Sequence, residues 1–131
     1  MKELKAGIIG NDEVIVTEAN TAAAMGSGTL PVFATPALVA LMEKTAQESV
    51  QDALEEGCGS VGNMICAKHV SATPVGMKVT CQSELVAVEG RKLVFKITAS
   101  DACGVVGEAD HERFIIQNEK FLKKANSKNE Q

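Results

Sequence analysis

The segment "VFATPALVALMEKTA", residues 32–46, decides the fold because it opens the one long helix that the sequence predicts. Thr35 stands directly before Pro36; threonine is a favourable N-cap, and proline is tolerated at the first helical position. The apolar periodicity that follows predicts a helix from Pro36 to about Glu56, ending at Gly57. One arc of this helix is apolar and the opposite side is charged, which is typical of a helix packed on a sheet.

Glu43 is the one acid on the apolar arc, between Val50 and Leu54 on a helical wheel. A carboxylate is costly there unless it is paired or protonated. Glu43 could reach water from a tilted helix, or make a structural hydrogen bond to the sheet. It could equally be a general base or nucleophile in a partly dry pocket. Position alone leaves these alternatives open.

Alternating and β-branched residues predict strands before and after the helix. Residues 13–19 form the first strand, and residues 60–72, apolar on both faces, are expected at a central position of the sheet. Three further strands follow within residues 77–116. Between the first strand and the helix, residues 20–31 are rich in small residues and are expected to form a flexible loop.

The pattern predicts an α+β domain over residues 1–124, followed by a polar tail, residues 125–131, that is expected to fray. A single long central helix wrapped by a curved antiparallel sheet is the hotdog fold, and the pattern by itself also permits other α+β folds. Such a small sheet leaves much apolar surface open, which favours a homodimer, with a tetramer as the alternative.

Composition narrows the classes of function. The net charge is −4 and no basic cluster precedes the tail, which argues against nucleic acid or an anionic membrane as partner. The N-terminal residues lack the apolar segment of a signal peptide, and the longest apolar run, Leu30 to Met42, is too short for a membrane helix. A cytoplasmic protein with reduced cysteines is therefore expected.

Two histidines are candidate acid–base groups: His69 in the long strand, and His111 in "EADHERF". A lone strand histidine is more often a core residue, and the spacing of these two predicts no metal site and no cofactor. Thr35, beside the positive end of the helix dipole, could hold an oxyanion or a polarised carbonyl. Gly62 could offer a close backbone N–H; a bulge or turn glycine is the alternative.

Four ordered segments are similar to a known family: "VFATPALVALMEKTA" (32–46), "GSVGNMICAKHVSATPVGMKVTCQSEL" (59–85), "VEGRKLVFKITASD" (88–101) and "HERFIIQNEKF" (111–121). Together they resemble the hotdog-fold fluoroacetyl-CoA thioesterase family, from about Val32 to Lys124. The resemblance implies a catalytic group of Thr35, Glu43 and His69.

The same resemblance implies substrate contacts and an assembly. The backbone of Gly62 would help to hold the thioester carbonyl, Arg113 would lie near the site, and Phe33 is assigned to substrate binding. Family sites lie at a dimer interface, with helix and strand residues meeting across it. Members specialised for fluoroacetyl groups carry an aromatic lid before "VFAT", whereas residues 22–31 here, "AAAMGSGTLP", contain no aromatic residue. The resemblance therefore leaves the fluorinated acyl group open.

The expected function is hydrolysis of a short or small acyl-CoA thioester to free acid and CoA. The alternatives are a hotdog enoyl-CoA hydratase, which usually has an Asp/His pair, and a non-catalytic acyl-CoA-binding module. A carrier-protein thioester in place of CoA stays open. For the CoA phosphates, the sequence offers four equally suitable candidates: Lys68, Lys78, Arg91 and Lys92.

The helix sets one geometric constraint on this function. Thr35 and Glu43 are eight residues apart, which is about 12 Å along the helix axis and about 80° around it. The two side chains cannot touch on one helix. Either Thr35 binds the substrate at a distance from Glu43, or the two residues come from opposite subunits.

Overall fold

A computed structural model describes residues 3–130 of the chain as one antiparallel sheet with a long helix across it. The five strands are β1 (Ile9–Ile15), β2 (Cys58–His69), β3 (Lys78–Glu89), β4 (Lys92–Asp101) and β5 (Gly104–Gln117). The helices are α1 (Ala22–Met25), α2 (Thr35–Gln51) and α3 (Asn118–Asn126), with 3-10 turns at Glu18–Asn20 and Ser127–Glu130. The strand order across the sheet is β1-β3-β4-β5-β2.

The core lies between α2 and one face of the sheet. Leu38, Met42, Ala46 and Val50 of α2 are fully buried, and they face inward-pointing residues of the strands. The strand residues of this core alternate with exposed ones, as expected for a sheet with one covered face. The prediction of an α+β hotdog fold is confirmed.

The helix ends earlier than predicted. Gln51 is its last residue and Asp52 its C-cap, whereas the prediction was about Glu56. Ala53 and Leu54 remain buried, but they lie in a turn that brings the chain back toward β2. The side-chain amide of Gln51 donates to the carbonyl of Cys58 at 2.9 Å and fixes this return.

Two strand predictions were wrong. The first strand is Ile9–Ile15 rather than residues 13–19, because backbone pairing with β3 defines it more than side-chain alternation does. The strand predicted to be central, β2, is an edge strand within the chain and pairs only with β5. Its apolar residues on both faces, Val61 and Ile65 among them, therefore lie beside an edge whose backbone groups have no strand partner in the described chain.

The segment predicted to be a loop contains a short helix. Thr21 caps α1 through a hydrogen bond from the backbone N–H of Ala24 to its hydroxyl at 3.2 Å. Gly26 follows with φ of 78°, a conformation that favours glycine, and turns the chain back so that the N–H of Ala22 bonds the carbonyl of Val32 at 2.8 Å. This segment therefore folds over the start of α2.

The predicted domain boundary stays a prediction. The proposed polar tail begins inside α3 and continues into the 3-10 turn at Ser127–Glu130, where all residues are exposed. Residues 1, 2 and 131, at the ends of the two predicted segments, lie outside the described range. Within residues 3–130, no helix has the length and apolar character needed to cross a membrane.

Candidate active site

Thr35 and His69 form the first group of polar side chains. Ala34 occupies the N-cap position and Thr35 is the first helical residue, so the prediction of Thr35 as N-cap is wrong by one position. The hydroxyl of Thr35 points elsewhere: Oγ1 lies 2.8 Å from Nδ1 of His69, the last residue of β2. The start of the helix and the end of the strand thus bring a hydroxyl and an imidazole to hydrogen-bonding distance.

A recess of about 290 Å³ surrounds this pair. Phe33 is 2% exposed, and its ring meets the imidazole of His69 edge-on with centroids 6.5 Å apart. The remaining walls come from the α1 segment and the chain after β2, namely Ala22, Ser27, Val32, Val70, Ser71 and Ala72. The recess is therefore small, and its side walls are mostly apolar.

One ring nitrogen of His69 has a hydrogen-bond partner, and the other has none among the described residues. Nδ1 faces Thr35, whereas Nε2 is buried and has no hydrogen-bond partner among residues 3–130. Burial lowers the pKa of His69 below its ordinary value of 6.5, so the ring is neutral at neutral pH. A neutral imidazole with a free nitrogen can donate or accept a proton from a bound molecule.

Glu43 and Arg113 form the second group, two turns further along α2. Nη1 of Arg113 lies 3.5 Å from Oε2 of Glu43. The arginine is 6% exposed, while the carboxylate side chain is 40% exposed. Ser60 holds the guanidinium from behind: its hydroxyl accepts from Nε and its carbonyl from Nη2, both at 2.8 Å. The result is a fixed cation beneath a carboxylate that reaches the surface.

Gly62 of β2 lies directly against this carboxylate. A Cβ at this position would come within 2.5 Å of Oε2 of Glu43 and 3.2 Å of Nη1 of Arg113. Any side chain would therefore displace the acid, which gives a physical reason for glycine here. The ladder between β2 and β5 also shifts register between Gly62 and Met64, which leaves Asn63 as a bulge at the mouth of the recess.

His111 is the member of the second group whose role the sequence did not indicate. It is fully buried, lines the same recess as Glu43 and Gly62, and lies 3.2 Å from Nη1 of Arg113 through its Nε2. The signal was its spacing of two from Arg113 in "HER", since residues i and i+2 of a strand share a face. The sequence could not show that this shared face is the one beneath Glu43.

The two groups are separate within one chain. They line different recesses, and among the described residues no hydrogen bond or ion pair joins Thr35 or His69 to Glu43 or Arg113. Glu43 lies at the margin of the buried face of α2, not at its centre. Within the same range, no three His, Cys, Asp or Glu side chains are close enough together to hold a metal ion.

Comparisons with known proteins point to one family. A sequence profile described as "FlK: Fluoroacetyl-CoA-specific thioesterase" matches residues 16–119. A fluoroacetyl-CoA thioesterase of Streptantibioticus cattleyicolor is 43% identical over 97 residues, which are 74% of this chain and 70% of the relative. The crystal structure of a phenylalanine-to-alanine mutant of FlK matches with a TM-score of 0.91 at 34% identity, covering 98% of this chain and 99% of that one. A threonine-to-serine mutant of FlK in complex with acetyl-CoA matches with a TM-score of 0.90 at 34% identity, covering 95% and 98%.

Proposed function

Because the chain belongs to the fluoroacetyl-CoA-specific thioesterase family, we propose that it hydrolyses short or small acyl-CoA thioesters to the free acid and coenzyme A. Family membership confirms the prediction of a thioester hydrolase and gives no support to a hydratase or a non-catalytic binding module. The observation that carries the proposed chemistry is the occurrence, on one chain, of a neutral histidine–threonine pair and a carboxylate held over a buried arginine.

Glu43 is the proposed base or nucleophile. As a base it takes a proton from water while the water oxygen adds to the thioester carbonyl carbon. As a nucleophile its oxygen adds to that carbon itself, and water later cleaves the resulting anhydride. In both routes the carbon–sulfur bond breaks, the acyl group leaves as the acid, and the sulfur leaves as a thiolate. The 40% exposure of the Glu43 side chain leaves the carboxylate accessible to either partner.

His69 is the proposed proton donor to the thiolate. The hydroxyl of Thr35 can accept a hydrogen bond from the N–H of Nδ1, which leaves Nε2 unprotonated in the neutral ring. Nε2 has no hydrogen-bond partner among residues 3–130, so it is free to take the proton that the attacking water or Glu43 releases and to pass it to sulfur. Thr35 therefore positions the imidazole and fixes its tautomer.

Gly62, Arg113 and Phe33 are proposed to bind the substrate. Gly62 lets the acyl carbonyl approach the strand backbone beside Glu43, because no side chain stands in the way. Arg113 supplies positive charge where the carbonyl oxygen becomes an oxyanion. Phe33 forms an apolar wall beside His69 and limits the length of the acyl group or the thiol arm that fits.

A homodimer would complete the site. Gly62 and His69 are seven residues apart on β2, about 23 Å at the usual strand rise, so they do not meet within one chain. Two β2 edges paired antiparallel across a two-fold axis at Ile65 or Cys66 would bring the partner subunit's His69 to within one residue of the position opposite Gly62. The unpaired β2 edge and the exposed Met64 and Val70 along it support this arrangement. No contact among residues 3–130 supports the association of two such dimers into a tetramer.

The phosphates of coenzyme A are assigned to a cleft that contains Arg91. This cleft of about 380 Å³ also receives Lys120 and Lys124, and no acidic residue lines it. Lys78 and Lys92, by contrast, pair with carboxylates, and Lys68 shares a surface pocket with acids. The cleft continues the β2–β5 ladder from Gly62 and Arg113, about 13 Å further along the strands.

Discrimination in favour of the fluorinated acyl group is not part of the proposal. The α1 segment that covers the Thr35–His69 recess contributes Ala22 and Ser27, which offer no aromatic surface to select a carbon–fluorine bond. We therefore propose comparable turnover of acetyl and fluoroacetyl thioesters. We also propose a cytoplasmic location, because the four cysteines are free thiols, as is usual in a reducing compartment.

The test of the proposal is a thiol-release assay with acyl-CoA thioesters of increasing chain length. Acetyl-CoA and its close homologues are expected to be the best substrates, and Glu43→Gln is expected to lower kcat by about 10²–10⁴-fold. Acetyl-pantetheine, which lacks all of the phosphates, is expected to show a raised KM with a smaller change in kcat.

Glu48→Gln is the matched control, because Glu48 lies on the same helix and is exposed. It should leave kcat unchanged. Absence of thiol release from every acyl-CoA, or a Glu43→Gln variant as active as the wild type, would contradict the proposed function.

A further inference from the structure

His111 lies beneath the proposed site without touching the proposed position of the substrate. It occupies β5, where it is fully buried, and its ring packs on Phe95 of the neighbouring strand with centroids 5.9 Å apart and planes 31° apart. Cross-strand pairing brings it next to Ile65 of β2 on one side and Phe95 of β4 on the other. The ring therefore has a fixed position and a fixed plane.

The hydrogen bonds of His111 define its tautomer. Nδ1 lies 2.7 Å from the carbonyl oxygen of Met64, which can only accept, so Nδ1 carries the proton. In the neutral ring Nε2 is then an acceptor, and it lies 3.2 Å from Nη1 of Arg113, which can only donate. Both bonds agree with one neutral form of the ring. Burial, with the nearby positive charge of Arg113 as a lesser cause, lowers the pKa of His111 below 6.5 and keeps the ring neutral.

Arg113 is held on three sides. Ser60 accepts from Nε and Nη2, and His111 accepts from Nη1. The remaining direction of Nη1 is toward Glu43 and the backbone of Gly62. Among the described residues, Nη1 has two hydrogen-bond partners, Glu43 and His111.

We infer that His111 is a positioning residue of the active site: its Nε2 accepts a hydrogen bond from Nη1 of Arg113 and thereby aims the guanidinium at Glu43 and the acyl carbonyl. The hydrogen bond between His111 and Arg113 rests on geometry alone. Its role in orienting the guanidinium toward the acyl carbonyl also rests on the proposed function. His111 in its neutral form is required, because a second cation facing Arg113 would turn the acceptor into a donor. Glu43 and Glu112 are the acids whose charge acts on His111 in the opposite direction.

Two substitutions separate the two bonds of His111. In His111→Gln the side-chain oxygen can reach the place of Nε2 and accept from Arg113. In His111→Asn the shorter amide can donate to Met64 from the place of Nδ1, but it cannot reach Arg113. We expect kcat/KM of His111→Gln to stay within about threefold of the wild type, and that of His111→Asn to fall about tenfold or more, the usual effect of losing a hydrogen bond to a charged group. Equal loss in the two variants, or a more active His111→Asn, would overturn the inference and leave His111 as a residue of the fold only.

A measurement on the unmodified protein covers the case in which neither variant folds. The chain has two histidines and two arginines, so ¹⁵N NMR spectra of their side chains are simple to assign. We expect His111 to be neutral with its proton on Nδ1, and the side-chain N–H signals of Arg113 to be protected from exchange. A proton on Nε2, or a charged ring at neutral pH, would overturn the inference even if the enzyme is active. Conversely, an inactive protein with the expected NMR signals would contradict the proposed function and leave the hydrogen bond established.

Discussion

The two halves of the site differ in what stabilises them. Thr35 and His69 form a neutral pair in a recess with apolar side walls, and one imidazole nitrogen has no hydrogen-bond partner within residues 3–130. Glu43 and Arg113 form a charged pair in which the cation is saturated by Ser60 and His111. The first half therefore contains a buried nitrogen without a hydrogen-bond partner in the described part of the chain, whereas all three nitrogens of the Arg113 guanidinium donate hydrogen bonds.

This difference assigns the halves to different tasks. An imidazole with a free nitrogen and a lowered pKa is suited to moving a proton. A rigid guanidinium is suited to stabilising charge at a fixed point and gains little from motion. Thioester hydrolysis needs both tasks at one carbon–sulfur bond. The account therefore requires that the two halves meet, although one chain keeps them apart.

In the neutral half, a loss as large as that of Glu43→Gln is expected. His69→Ala removes the proposed proton donor and should lower kcat by about 10²–10⁴-fold. The loss should be smaller for a thioester whose thiol is more acidic, because such a thiolate leaves without protonation. The measurement is kcat for alkyl and aryl thioesters of the same acyl group.

Thr35→Val is the matched variant for this half. It keeps the imidazole and removes only the hydroxyl 2.8 Å from Nδ1. We expect a loss of about 2–10-fold, as for one neutral hydrogen bond. A Thr35→Val variant as impaired as His69→Ala would mean that the hydroxyl itself takes part in bond making, and the division of tasks would be wrong.

A smaller effect is expected from the cation of the charged half. Arg113→Lys keeps the positive charge but cannot make the forked contacts with Ser60, so the cation is no longer fixed. We expect kcat/KM to fall about 10–100-fold while the protein stays folded. Lys44→Arg, a similar exchange of cations on the exposed side of α2, is the control and should change kcat/KM little. Full activity of Arg113→Lys would show that the aim of the guanidinium does not matter.

The smallest effect is a pH dependence of stability. An unfolded histidine binds a proton below its ordinary pKa of 6.5, whereas burial lowers the pKa of both His69 and His111 in the folded chain. The unfolded state then binds more protons, so the free energy of unfolding falls as the pH drops below about 6.5. We expect Tm to decrease between about pH 7.5 and 5.5, and to decrease less in His111→Gln. A Tm that is constant over this range, or that rises on acidification, would contradict the burial of neutral rings.

The fold could be predicted from the sequence because its signals are local. The apolar periodicity of residues 32–46 and the alternation in the later strands are properties of neighbouring residues. The end of α2 was less accessible, since Ala53 and Leu54 are buried whether they lie in a helix or in a turn. The edge position of β2 could not be predicted, because a strand with two apolar faces is expected both in the middle of a sheet and at an interface between subunits.

The candidate site could be derived from the sequence only in part. The family resemblance supplied Thr35, Glu43 and His69. In the structure Thr35 and His69 are hydrogen-bonded to each other, whereas Glu43 pairs with Arg113. The sequence named His111 only as a candidate acid–base group and did not name Ser60, because the contacts of both residues with Arg113 depend on the register between β2 and β5. Register is a long-range property, and a slip of one residue would turn each of these side chains to the opposite face.

The central claim is that each site combines Glu43 of one subunit with His69 of another, and subunit mixing tests it directly. Inactive Glu43→Gln and His69→Ala proteins are unfolded together and refolded as a mixture. The account predicts that about a quarter of wild-type activity returns, because half of the dimers carry both variants and one of their two sites is then intact. No activity above that of the separate variants, in a mixture shown to contain mixed dimers, would mean that each site uses residues of a single chain and would contradict the account.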